Sequence, residues 1–229
     1  MAGSSRADMV KDLGAIRIYG DGSVYRLKLD ELDISAIPVM CEDSVCWKDF
    51  TYDEPRDLLL RIYKPKSTTS TSSDVHKLPI IVYLHGGGFC VGSREWPTCH
   101  NGCLRLTSST GAVVVAPDFG LSPEHRVPAI FDNVIRAVRW IGGRAGDEWL
   151  SEGEGGRVEI DLERVFVVGD SSGGTVAHHL AVRLGSGSLN LDPIDVKGYV
   201  MISPFFGGVT RTGSEKDSTE PWLNLELLD

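Results

Sequence analysis

Arg164-Val165-Phe166-Val167-Val168-Gly169-Asp170-Ser171-Ser172-Gly173-Gly174 is the stretch on which the fold turns. Val165 to Val168, β-branched and aromatic without interruption, predict a short strand buried on both faces. Beyond the glycines, Val176, Ala177, Leu180, Ala181 and Leu184 recur at helical spacing. Arg183 and Gly185 stand where a helix carboxyl end favours a cation and a glycine. Ser171 therefore sits in a tight turn between strand and helix, with glycines two before and two after it. This G-x-S-x-G context is that of a nucleophile elbow, in which a strained turn holds a serine hydroxyl out at the carboxyl end of a sheet. Glycines are required there because neighbouring chain packs too closely for side chains.

A second stretch complements the first. Leu78-Pro79-Ile80-Ile81-Val82-Tyr83-Leu84 predicts another buried strand, and it runs directly into His85-Gly86-Gly87-Gly88-Phe89. Three glycines after a strand free backbone N–H groups to converge on one point, which suits a developing oxyanion.

Together with Ser122-Pro123-Glu124-His125-Arg126 between them, these motifs resemble the hormone-sensitive-lipase-like branch of the α/β-hydrolases. Within it the match is to plant carboxylesterases and their gibberellin-receptor relatives, from about Leu13 to the end. The resemblance implies an α/β fold, a mostly parallel sheet with helices on both faces, here lacking the final strands and helices. It implies one incomplete domain over residues 1–229, with 1–40 as an N-terminal lid segment and 207–229 as the start of a second. Ser171 would be the nucleophile, and the N–H groups of Gly86, Gly87 and Ser172 the oxyanion donors. His85, Gly88, Gly169, Asp170, Gly173 and Gly174 would support the two motifs. One departure is Asp118-Phe119-Gly120-Leu121, where many relatives have Asp-Tyr-Arg-Leu; it should weaken the anchoring of that loop more than the chemistry.

The order of strand and helix patterns agrees with this fold. Val45–Tyr52 and Leu58–Tyr63 alternate as two antiparallel strands, Ala112–Ala116 reads as the next buried strand, and Tyr199–Ile202 as a further strand left at an unpaired hydrophobic edge. Trp96, Cys99, Cys103 and Leu106 mark one helix face; Phe131, Val134, Ile135, Val138 and Ile141 mark another. Alternating strands and helices predict a parallel sheet with function at the strand carboxyl ends. Ile16–Tyr19 and Val24–Leu27 flank a Gly-Asp-Gly turn and suggest a hairpin or a pair of short extended pieces. Met1–Arg6 and Ser67–Ser73 read as solvated, Gly142–Gly156 as an exposed acidic loop, and Trp222–Leu228 as the start of a lid helix.

Composition bounds the function. The 229 residues carry a formal net charge of −9, with 41% hydrophobic and 24% charged residues, an ordinary globular balance for one large core. The negative charge argues against nucleic acid or an anionic membrane as partner. Lys11, Asp12, Arg17 and Asp21 break up the N-terminal region, so neither signal peptide nor membrane span is expected. Five cysteines, an odd number, suggest reduced thiols and a cytoplasmic location, with the nucleus also open. Cys99-His100-x-x-Cys103 reads as core packing on a helix face rather than a metal site. No metal and no cofactor are expected, and the partner is a small-molecule ester or a hormone-like ligand.

A serine hydroxyl needs a histidine to take its proton and an acid to orient that histidine. In α/β-hydrolases both follow the serine in chain order. Here only His178 and His179 come after Ser171, and a helix rising about 1.5 Å per residue carries them roughly 10 Å down its axis. His85 would shape the oxyanion loop, His125 would hold its own loop in place, and Asp170 and Glu124 would be structural. The chain thus reads as a C-terminally truncated carboxylic ester hydrolase, impaired because acid and histidine are absent. Its rivals are a gibberellin-receptor-like binder and an inert truncated product. As the family resemblance has it, the receptors carry serine at the third glycine of His-Gly-Gly-Gly, so Gly88 sides with the esterases.

Overall fold

A computed structural model describes residues 8–32, 36–66, 76–143, 148–151, 158–206 and 213. The expected solvated stretches Met1–Arg6 and Ser67–Ser73 lie outside these residues. So do all but Gly213 of the expected second lid segment and the whole of Trp222–Leu228.

The larger sheet holds β4 (Val45–Asp53), β5 (Leu58–Pro65), β6 (His76–Leu84), β7 (Val113–Pro117), β8 (Val158–Asp170) and β9 (Val196–Ile202), in the order β4-β5-β7-β6-β8-β9. β7, β6, β8 and β9 run parallel, while β4 and β5 are antiparallel at one side. The parallel strands are joined through helices, as parallel neighbours must be. α1 (Pro97–Thr110) connects β6 to β7 and α4 (Ser172–Gly185) connects β8 to β9; α2 (Ala129–Gly142) and the four-residue α3 (Glu148–Ser151) lie between β7 and β8. α1 packs on β5 and β7 from one side, and α2, α3 and α4 cover the other. Ile80, Val82, Leu84, Val165 and Val167 face α2 and α4 through Ile130, Val134, Val138, Val176 and Leu180. On the opposite face Ile81, Val114 and Val168 meet Cys99, Cys103 and Leu104 of α1. Pro97 opens α1, where a missing N–H costs nothing, and Gly111 closes it in the left-handed conformation at φ 70°.

Two expectations are corrected and one is extended. Phe166 is not buried on its face of β8: it is 39% exposed, beside exposed Val200 and Ile202 of β9. α1 packs mainly over β5 and β7, on the side of the sheet away from β9. The acidic stretch after α2 is not simply an exposed loop, since α3 within it buries Leu150 and sets Trp149 against Phe50 at 5.6 Å. The N-terminal hairpin is present as β2 (Ile16–Tyr19) paired antiparallel with β3 (Val24–Arg26), and a strand not read from the sequence, β1 (Met9–Asp12), extends it to a separate three-stranded antiparallel sheet. β1 escapes a pattern search because its side chains, Met9 and Val10 included, are largely exposed. This small sheet rests on the loop after β6, where Ala15 and Ile16 form one apolar cluster with Cys90 and Val91, and Leu13, Val24 and Trp96 pack against it.

No helix among the described residues is long and apolar enough to cross a membrane.

Candidate active site

β8 ends at Asp170 and α4 begins at Ser172, so Ser171 is the whole connection. A one-residue strand-to-helix turn forces an unusual backbone: Ser171 adopts φ 51°, ψ −117°. A non-glycine residue at positive φ is strained and persists only where its surroundings over-determine it. Here the Ser171 N–H donates to Ile202 O at 2.8 Å, and Ser171 O accepts from the N–H of Thr175 at 3.2 Å.

Glycine is needed within the elbow for close approach. A Cβ on Gly173 would lie 2.1 Å from Leu84 O and 2.6 Å from His85 O, and one on Gly169 would lie 2.3 Å from Gly173 O. The first turn of α4 is thus pressed against the end of β6. Gly174 faces the chain that leaves β9, where an added Cβ would come within 3.0 Å of Pro204.

The same pressure brings the two glycine motifs together. A Cβ on Gly86 would stand 3.2 Å from Ser171 Cβ and from Asp170 Oδ2, so the backbone of Gly86 touches the serine turn. Gly87, at φ 125°, lets the chain fold back: its carbonyl accepts from the N–H groups of Cys90 and Val91, both at 3.0 Å, and a Cβ there would be 2.0 Å from Val91 O. Gly88 continues at φ 59° with open space around it. Among the described residues no acceptor takes the N–H of Gly86, Gly87 or Ser172. Ser172 is the first residue of α4, whose leading N–H groups have no partner within the helix and carry its positive dipole end.

His85 is buried, and its ring stacks on Phe119 at 4.2 Å and 6°. Its Nδ1 donates to Gly86 O at 2.8 Å, and Nε2 has no partner among the described residues. Burial pushes its pKa down, so the ring is neutral. Asp170 and Ser171 share a cavity of about 210 Å³ with Tyr83, Gly86, Trp96 and Cys99.

Of the other histidines with described side chains, none hydrogen-bonds Ser171. His179 stacks on Phe131 at 3.8 Å, His178 meets Phe206 edge-on, and His100 sits against Tyr63 Oη at 2.9 Å. His125 lies over Gly120, where a Cβ would be 2.6 Å from its ring. That contact gives the departure at position 120 a physical sense: a side chain there would displace the imidazole. Cys99 and Cys103 are buried in the core against Tyr63 and Leu104.

Reading the sequence did not single out Arg26. It ends β3, and its guanidinium reaches Cys90 O at 2.8 Å, Ser122 O at 2.7 Å and both carboxylate oxygens of Glu124. Arg94 was missed likewise; its backbone N–H donates to Asp118 Oδ1 at 2.7 Å and its side chain pairs with the same carboxylate. Both are long-range pairings that no local pattern encodes.

A family model described as alpha/beta hydrolase fold matches residues 81–229, which contain both glycine motifs and everything after them. The chain belongs to the α/β-hydrolase family. It is 35% identical over 207 residues to "Probable carboxylesterase 6" of Arabidopsis thaliana, covering 89% of this chain and 57% of that protein. It is 35% identical over 169 residues to "Carboxylesterase 20" of the same plant, covering 73% and 50%. Among solved structures, the esterase of Pyrobaculum calidifontis superposes with a TM-score of 0.59 at 29% identity, covering 83% of this chain and 53% of that one. The chain thus spans about half the length of the curated relatives it matches, and its likeness within the family is to plant carboxylesterases of the hormone-sensitive-lipase-like branch.

Proposed function

We propose that the protein hydrolyses carboxylic esters through Ser171. The observation that carries this reading is the strained Ser171 turn with the Gly86 backbone in contact with it. Ser171 Oγ attacks the ester carbonyl carbon. The oxygen that becomes negative is received by the N–H groups of Gly86, Gly87 and Ser172, and the alcohol leaves. Water then attacks the acyl-serine carbonyl, and the acid is released with Ser171 restored. Fixed donors aimed at the developing charge are worth about 3 kcal/mol each in such sites. His85, Gly88, Gly169, Asp170, Gly173 and Gly174 hold the two turns against each other.

The attack needs a base, and none of the described histidines is hydrogen-bonded to the serine. Without one Ser171 stays a weak nucleophile, so full turnover is proposed for the protein that also brings a histidine and its acid to this turn. The small N-terminal sheet, beside the oxyanion loop, is proposed as part of a lid over a small-molecule substrate. Five cysteines, all free, support a reducing, cytoplasmic setting.

The test is hydrolysis of nitrophenyl acetate and butyrate by the intact natural protein and by Ser171→Ala. The serine variant should lose at least ~1000-fold in kcat while keeping its fold by circular dichroism. Hydrolysis that survives the substitution would overturn the reading. A folded protein that hydrolyses neither ester yet binds a hormone-like carboxylate would instead be a receptor-like binder.

A further inference from the structure

We propose that Arg26 is a positioning residue for ester hydrolysis, clamping the oxyanion loop from the N-terminal sheet. The inference rests on the reading of Gly86 and Gly87 as oxyanion donors. Those glycines lead a loop with little regular structure of its own. Gly87 O closes it inwardly through Cys90 and Val91, and Ser122 N–H donates to Phe89 O at 2.8 Å. Arg26 completes the enclosure from outside. Its Nε takes Cys90 O and its Nη2 takes Ser122 O, while Glu124 accepts from both terminal nitrogens. One planar group thus ties Cys90, in the oxyanion loop, to the Ser122–Glu124 turn that already holds Phe89.

The fork geometry is particular to arginine: five N–H donors in a plane can serve two carbonyls and a carboxylate at once, which a lysine ammonium cannot reproduce. The carboxylate keeps the guanidinium in place, and Arg26 in turn holds Glu124 below the usual carboxylate range. The side chain of Arg26 is only 27% exposed, so water competes poorly for these bonds. A loop released at Cys90 would let the Gly86 and Gly87 N–H groups drift from the oxyanion, and a misplacement of about 1 Å can cost ~100-fold in rate. The loss would fall on the transition state rather than on substrate binding.

Three variants of the intact natural protein test this, each assayed for kcat and KM on nitrophenyl acetate and for amide hydrogen exchange of residues 86–91. Arg26→Ala should lower kcat by roughly 30- to 100-fold, with KM within about threefold, and should speed exchange in 86–91 while β6 and β8 keep their protection. Arg26→Lys should recover only part of the kcat. Glu124→Gln keeps both carbonyl contacts and should lose only a few fold. Unchanged kcat and loop exchange in Arg26→Ala, or a raised KM at unchanged kcat, would overturn the proposal. If Arg26→Ala fails to fold, the order Glu124→Gln above Arg26→Lys in kcat decides, and the reverse order overturns it. If the parent protein hydrolyses nothing, the esterase reading falls, and loop exchange in the variants still decides whether Arg26 is the clamp.

Discussion

At Gly173 a single hydrogen atom stands where any other residue would drive a carbon to 2.1 Å from Leu84 O. Both neighbours are backbone at the end of a central strand, so neither can move aside cheaply. Gly173→Ala should therefore cost about 1–3 kcal/mol of stability, read as a lowered urea midpoint at unchanged slope. It should also reduce hydrolysis, because the shift falls on the turn that holds Ser171. Equal midpoints for parent and variant would contradict the close approach. The serine, the glycines around it and the triple glycine were all legible in the chain, because each answers a local demand of backbone geometry. Arg26 and Arg94 were not, because their partners stand 64 to 98 and 24 residues away and arginine has no spacing that betrays an ion pair.

Among the elements, α3 shows where periodicity is too short a ruler. Four residues cannot display a helical repeat, yet Leu150 is buried and Trp149 lies over Phe50. Leu150→Ala should destabilise by about 2 kcal/mol, the low end for a buried leucine, since a four-residue helix can partly collapse into the gap. A denaturation midpoint indistinguishable from the parent would mean that α3 adds nothing to the core. β8 was likewise read too short. It begins at Val158 and pairs with β6 in two registers, Val158–Asp161 against His76–Pro79 and Val165–Gly169 against Ile80–Leu84. The three residues between, Leu162–Arg164, mix one apolar with two charged side chains and hide the continuity. The exposed Phe166 marks a complementary limit: an apolar run announces a strand, but what covers each face is a property of other segments.

On the scale of the whole molecule, three histidines are held neutral. Burial lowers the pKa of His85, His100 and His179, and neighbouring Arg61 and Arg183 lower the latter two further. A folded-state pKa below the unfolded value means that the unfolded chain binds the proton first. The stabilisation is therefore complete above pH 6.5 and is lost as pH falls through the lowered values, at up to about 1.4 kcal/mol per pH unit for each proton taken up. Urea midpoints should hold nearly level from pH 7.5 to about 6.5 and fall from there to pH 5.5, and His85→Asn should flatten that fall. A midpoint that rises or stays level on acidification below about pH 6.5 would contradict the buried, neutral imidazoles. The layered parallel sheet was readable in advance because each helix and strand carried its own period. The antiparallel strand β1 and the docking of the small sheet were not, because they depend on which exposed surfaces meet.

The most direct measurement is labelling of the intact natural protein with a fluorophosphonate, followed by mass mapping of the adduct in the parent and in Ser171→Ala. A single adduct on Ser171, absent from the variant, is the result expected if Ser171 is the nucleophile we propose. No adduct on the folded protein, or one that persists in Ser171→Ala, would contradict Ser171 as the nucleophile.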